Sequence, residues 1–205
     1  MAWEGDTAFR DLAEPEPGRD AEIELVGASL RLTGHIKLGK FGRLTDLVNA
    51  LRGYVTINDA QLLRPDGAPT DLVMPELMVD EDEISFIAQT ADQHPEHGPA
   101  TGFVDQAFAQ PQQRVARKYL MFTPGHAVTG TVYLFGETGL RGFVDATDPR
   151  YIAVTDATAR SLSDPGIVCE YPFLILNRTQ MIAASDMTHG EAAVDQGLSE
   201  AATEA

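Results

Sequence analysis

Leu32-Thr-Gly-His-Ile-Lys-Leu-Gly-Lys-Phe-Gly-Arg-Leu-Thr-Asp-Leu-Val-Asn-Ala-Leu51, continuing as Gly53-Tyr-Val-Thr-Ile-Asn-Asp-Ala60, returns later in the chain. The second occurrence is Val128-Thr-Gly-Thr-Val-Tyr-Leu-Phe-Gly-Glu-Thr-Gly-Leu-Arg-Gly-Phe-Val-Asp-Ala-Thr147, continuing as Arg150-Tyr-Ile-Ala-Val-Thr-Asp-Ala157. Gly34 matches Gly130 and Leu44 matches Leu140 at an offset of 96. Asp59 matches Asp156, and Val79 and Ile84 match Leu176 and Met181, at 97. A register held over so many residues, with one insertion, reads as two copies of one module.

Each copy carries its own element signals. Ile23 and Leu25 alternate, Gly27-Ala-Ser breaks the run, and Leu30, Leu32, Gly34, Ile36 and Leu38 share one parity. That is a strand, a turn and a second strand with one buried face. Leu44, Leu47, Val48 and Leu51 then recur at helical spacing, so a short amphipathic helix covers the sheet. Gly53 follows at a position that helix ends favour for glycine. Tyr54 to Ile57 reads as a third strand, Arg64-Pro-Asp-Gly67 as a turn, and Leu77–Val79 and Ile84–Ile87 as two more strands. The charged turn Asp80-Glu-Asp-Glu83 lies between the last two.

The expected architecture is therefore mainly β: two tandem small β-barrel modules, each of about five strands plus one short helix. Repeat 1 spans 21–90 and repeat 2 spans 114–184. Residues 91–113, rich in Gln, Ala, His, Pro and Gly, read as a linker. Phe103, Val104, Ala107 and Phe108 could form a helical turn or two within it. Residues 1–20 and 185–205 read as acidic disordered tails that carry −4 and −5 of the net charge of −16. Trp3, Phe9 and Leu12 are the only large apolar docking candidates in the first of them.

Composition narrows the function classes. At 43% hydrophobic the 205-residue chain can bury a core, and no apolar run reaches the length of a membrane span. The N-terminal residues Met1-Ala-Trp-Glu-Gly-Asp lack the pattern of a secretory signal. A lone cysteine, Cys169, fits a reducing, cytoplasmic setting. A strongly acidic chain repels phosphate backbones, which disfavours nucleic acid as a partner.

The arrangement resembles SH3-type and Sm-like small barrels. An Sm barrel begins with its helix, whereas here the helix follows the second strand. The turn of the second Sm motif is replaced by Asp80–Glu83 and by Asn177-Arg-Thr-Gln180. The run Arg43-Leu-Thr-Asp-Leu-Val-Asn49 is similar to a motif in uncharacterised bacterial proteins of small-barrel type, and the resemblance implies no activity.

Arg43, Asp46 and Asn49 lie at i, i+3 and i+6 on the polar side of the first helix and form the candidate binding set. The competing reading is an Arg43–Asp46 helix pair with Asn49 serving nearby backbone. The second copy has Gly139, Gly142 and Asp145 there. His94-Pro-Glu-His97 offers zinc-type donors, but Pro95 prevents a helix that would aim both rings together, so no metal site is expected. Asp59 and Asp156 at equivalent strand ends suit turn capping. Cys169 lacks a basic neighbour in sequence to activate it. Arg114, Arg117 and Lys118 make the one basic cluster, suited to nucleic acid, to an acidic partner or, by preference, to balancing the acidic ends of the same chain. No phosphate-binding loop or dinucleotide fingerprint occurs.

These readings lead to a non-enzymatic protein-interaction or assembly module, with no cofactor and no membrane contact, that can form homo-oligomers. The alternative is an Sm-like RNA-binding protein. An enzyme with its site at the junction of the modules is a third class.

Overall fold

The computed structural model describes residues 20–90, 114–136 and 138–188. The linker histidines His94 and His97, the apolar residues of 103–108 and Trp3, Phe9 and Leu12 lie outside these. The first half contains β1 (Asp20–Gly27), β2 (Arg31–Lys37), α1 (Leu44–Ala50), β3 (Tyr54–Leu63), β4 (Pro69–Asp80), a 3₁₀ turn (Glu81–Glu83) and β5 (Ile84–Gln89). The second half repeats that order as β6 (Arg114–Thr123), β7 (His126–Phe135), α2 (Leu140–Asp145), β8 (Tyr151–Ser161), β9 (Val168–Asn177), a 3₁₀ turn (Arg178–Gln180) and β10 (Ala183–Asp186).

The protein is mainly β, but its strands do not close into two separate barrels. They form one open antiparallel sheet of ten strands in the order β10-β6-β7-β8-β9-β5-β1-β2-β3-β4. Closing the first half on itself would require β4 to pair with β5. The outer edge of β5 is instead taken by β9, with Phe86 opposite Leu176, Ile87 opposite Ile175 and Ala88 opposite Leu174. One strand edge accepts one partner, so the ladder between the halves replaces the ladder that closure would need.

The same pairing joins the cores. Ile84 and Ile87 of β5 enter the first-half core with Phe173 and Ile175 of β9. Phe86 and Ala88 enter the second-half core with Leu174 and Leu176. Tyr151 of β8 is buried in the first-half core, and Val26 of β1 in the second. Successive strand side chains face opposite sides, so the two middle strands serve both cores at once.

Local signals behave as their chemistry dictates. Leu44, Leu47 and Val48 are the buried face of α1. Gly53 and Gly67 take positive φ at the helix exit and at the β3–β4 turn. Gly34 faces β3 so closely that a Cβ would sit 2.6 Å from the Ile57 side chain and 2.8 Å from the Asn58 carbonyl. Asp59 and Asp156 are not at strand ends. They lie within β3 and β8, at φ +50° and +49°, next to shifts in the β2–β3 and β7–β8 registers. The carboxylates sit at bulges that curve each half-sheet over its core. β10 runs two residues past Ala184, with Ser185 opposite Leu120 and Asp186 opposite Tyr119. Among the described residues no helix is long and apolar enough to cross a membrane.

Candidate functional site

The helix set divides. Asn49 reaches across to the second half: its Nδ2 donates to the Tyr151 carbonyl at 3.0 Å, and its Oδ1 accepts from the Tyr151 N–H at 2.9 Å. The same Nδ2 also donates to Thr45 O at 3.0 Å. Arg43 caps the N-terminus of α1 in extended conformation without a side-chain cap bond, and its Nη2 is buried without a partner. Asp46 stands half-buried in the first turn of the helix. Arg43 and Asp46 form no ion pair with each other. The amide of Asn49 is thus occupied by the chain's own backbone.

Polar groups gather at both ends of the β5–β9 junction. At one end Arg150 pairs with Glu81 and Asp82. Asn177 is fully buried, and its Nδ2 donates to the carbonyls of Glu81 and Ile84, both at 2.9 Å. Its Oδ1 meanwhile caps the following turn at Thr179 N, 3.1 Å away. Gln180 Nε2 donates to the Asp82 carbonyl. Burial alone would lower the Arg150 guanidinium, but the hydrogen bond to Asp82 and the charge of Glu81 outweigh it and hold the group above its usual value. Burial raises the Tyr151 hydroxyl well above the ordinary phenol range.

At the other end lies a buried cluster that only the tertiary structure assembles. Arg31 Nε donates to Glu24 Oε1 at 2.6 Å, and Arg31 Nη2 to Cys169 Sγ at 3.2 Å. The Tyr171 hydroxyl donates to the same Glu24 oxygen at 3.0 Å. His126 packs edge-on against Phe86, with ring centroids 5.6 Å apart. Burial, and then the Arg31 charge, hold the His126 imidazole below its usual value. Burial and then Glu24 push the Tyr171 hydroxyl up. Cys169 therefore has an arginine against its sulfur and shares a recess with His126, which lies 43 positions earlier in the sequence. That recess has a volume of about 10 Å³, room for about one water molecule. Among the described residues no group of His, Cys, Asp and Glu could hold a metal ion.

The basic cluster is split between two faces of β6. Arg117 points to the core side and pairs with Asp186 at 3.8 Å. Arg114 and Lys118 are opposite Phe135 and Thr131 on the outer face, with Arg114 over the Phe135 ring at 4.9 Å and Tyr133 exposed between them.

The surfaces with unused bonding capacity are the two ends of the sheet. Among the described residues β4 is bonded only to β3, and β10 only to β6. β4 also exposes Leu72, Val73 and Met78, and Ile182 is exposed just before β10. No protein family, curated protein or solved structure matches the chain.

Proposed function

We propose that the chain is a non-enzymatic, cytoplasmic protein-interaction or assembly module, built from two small-barrel-like units in tandem, that works through its terminal sheet edges. The observation that carries this reading is the edge of β4, which has no partner strand among the described residues and belongs to a twelve-residue strand with three large apolar side chains exposed. An unpaired edge presents a row of N–H and C=O groups to which another chain can add a strand. The junction supports the reading from the other side, because its polar groups are spent on holding the halves together: Arg150 on Glu81 and Asp82, and Asn177 on the carbonyls of Glu81 and Ile84.

Affinity capture from native lysate tests it, with wild type and Met78→Lys run side by side. Met78 is 58% exposed, so a lysine there leaves the fold intact while placing a charge on the edge. A partner captured by wild type and lost with the variant supports the reading. Equal capture by both overturns it.

One observation favours the Sm-like RNA-binding alternative: Arg114 and Lys118 share an outer face with Tyr133 and Phe135. Cations beside aromatic rings are the elements of a single-strand platform. Two cations against a net charge of −16 make a small footprint, and Tyr151 is buried and cannot stack.

A further inference from the structure

We propose that copies of the chain join head to tail, the β10 edge of one pairing antiparallel with the β4 edge of the next, in the register that β5 and β9 already use within the chain. This rests on the reading that the sheet edges are the working surfaces, and it names their occupant as a second copy.

The junction inside the chain is the template. Phe86 of β5 pairs with Val26, and Ala183 of β10 pairs with Phe122, its counterpart in the first strand of the second half. Val79 of β4 pairs with Val55, and Leu176 of β9 pairs with Ile152 in the same relation. β10 is therefore built as β5 is, and β4 as β9 is. β5 and β9 are joined; among the described residues β10 and β4 are the two ends left over. A contact between unlike surfaces that is made once inside the chain can be made again between chains. Carrying the internal register across places Ala183 opposite Val79, Ala184 opposite Met78 and Ser185 opposite Leu77.

Burial agrees with this placement. Ile175 at the junction is fully buried, whereas its counterpart Met78 is 58% exposed. Ser85 is 1% exposed, whereas its counterpart Ile182 is 69% exposed. Proline sets the same limit in both places. The internal ladder stops at Leu174, two residues short of Pro172, and Pro75 occupies the equivalent site on β4. Charge adds little to this placement, because Glu81 and Asp82 are already paired with Arg150 and the Arg178 guanidinium donates to the carbonyls of Phe143 and Ala146.

One substitution makes the contact between chains weaker than the internal one. Asn177 caps its turn with Oδ1 and donates across the junction with Nδ2. Asp80 caps its turn in the same way, through Oδ1 to Asp82 N at 2.9 Å, but its second oxygen cannot donate. In the proposed contact that oxygen faces the carbonyls of Arg178 and Met181. Arg150, which secures the internal junction, is replaced by Gly53. Asp80 thus keeps the ends reversible.

Light scattering and sedimentation of the purified full chain test the proposal. Wild type should show a mass above 22.2 kDa that rises with concentration. Asp80→Asn, which restores the donor, should move the association midpoint to roughly tenfold lower concentration. Met78→Lys and, separately, Ile182→Asp should each return the mass to that of one chain, with melting curves confirming that both remain folded. Mixing those two variants should restore a dimer and nothing larger, because each retains one competent edge. A single-chain mass for wild type and Asp80→Asn at about 200 µM overturns the proposal. So does association that survives either edge variant, or a mixture that stays monomeric. An edge-dependent partner captured by a chain that is itself monomeric would leave the interaction reading standing and remove only the self-pairing.

Discussion

Asn49 of α1 holds Tyr151 of β8 by both of its backbone polar groups, accepting from its N–H at 2.9 Å and donating to its carbonyl at 3.0 Å across 102 residues of sequence. A side-chain amide has one donor face and one acceptor face, so it completes a backbone peptide as a neighbouring strand would. The helix of the first half thereby fixes the start of a strand in the second. Asn49→Ala leaves a buried N–H and C=O unpaired and should lower stability by about 1–3 kcal/mol. Asn49→Asp should cost at least as much, since its carboxylate would face the Tyr151 carbonyl. Denaturant unfolding measures both, and values equal to wild type would show that the clamp is idle.

The sequence makes the helix face and the turns plain, because each depends on spacing within a short window. Leu44, Leu47 and Val48 declare a face whatever the helix packs on. What spacing cannot declare is which strand edges meet. Whether β5 turns back to β4 or across to β9 is not written in its partners, because both strands read as the same short apolar run. Asn49 stands out as a polar residue on a helix, but its partner is a backbone group, which leaves no mark in sequence. The Glu24–Arg31–Cys169–Tyr171 cluster is drawn from positions up to 147 residues apart. In β1, Asp-Ala-Glu-Ile-Glu-Leu-Val-Gly, Glu24 shares the parity of the exposed Asp20 and Glu22, so its burial leaves no mark in the sequence.

Glu24 is 8% exposed and satisfies both Arg31 and Tyr171 through one oxygen. Glu24→Ala strands a buried guanidinium and should cost about 3–5 kcal/mol. Replacing both ions, as Glu24→Leu with Arg31→Met, removes the uncompensated charge and should recover most of that loss. A double variant as unstable as the single one would show that the pair contributes more than it costs to bury.

Gly34 and Asp59 act together to curve the first half-sheet. Gly34→Ala drives a Cβ to 2.8 Å from the Asn58 carbonyl, a backbone atom that cannot step aside, and should destabilise by about 1–3 kcal/mol. Gly130→Ala meets the Thr155 carbonyl at 3.1 Å and the Val154 side chain at 2.4 Å, so it should be similarly poor. Asp59 at φ +50° should tolerate glycine and reject valine, whose branched Cβ clashes in the left-handed region. Equal melting temperatures for Asp59→Gly and Asp59→Val would contradict a strained bulge.

His126 gives the fold a pH dependence of definite sign. Its ring is half-buried beside Phe86, its buried Nδ1 has no partner, and Arg31 approaches it with a positive charge. The groups that face it are Arg31, which opposes its protonation, and Glu24, which favours it more weakly. The folded imidazole therefore binds its proton less readily than the unfolded one, whose ordinary value lies near 6.5. Below that pH the unfolded chain holds the extra proton, so stability must fall as pH drops from about 7 toward 5. Above it both states carry a neutral ring, and the residue contributes no slope. His126→Gln, neutral throughout, should melt with a shallower decline across the same interval, while the two proteins keep a constant difference between about pH 7 and 8. Parallel curves from pH 5 to 8 would show that the imidazole titrates alike in both states and would remove the ring as the source of the dependence.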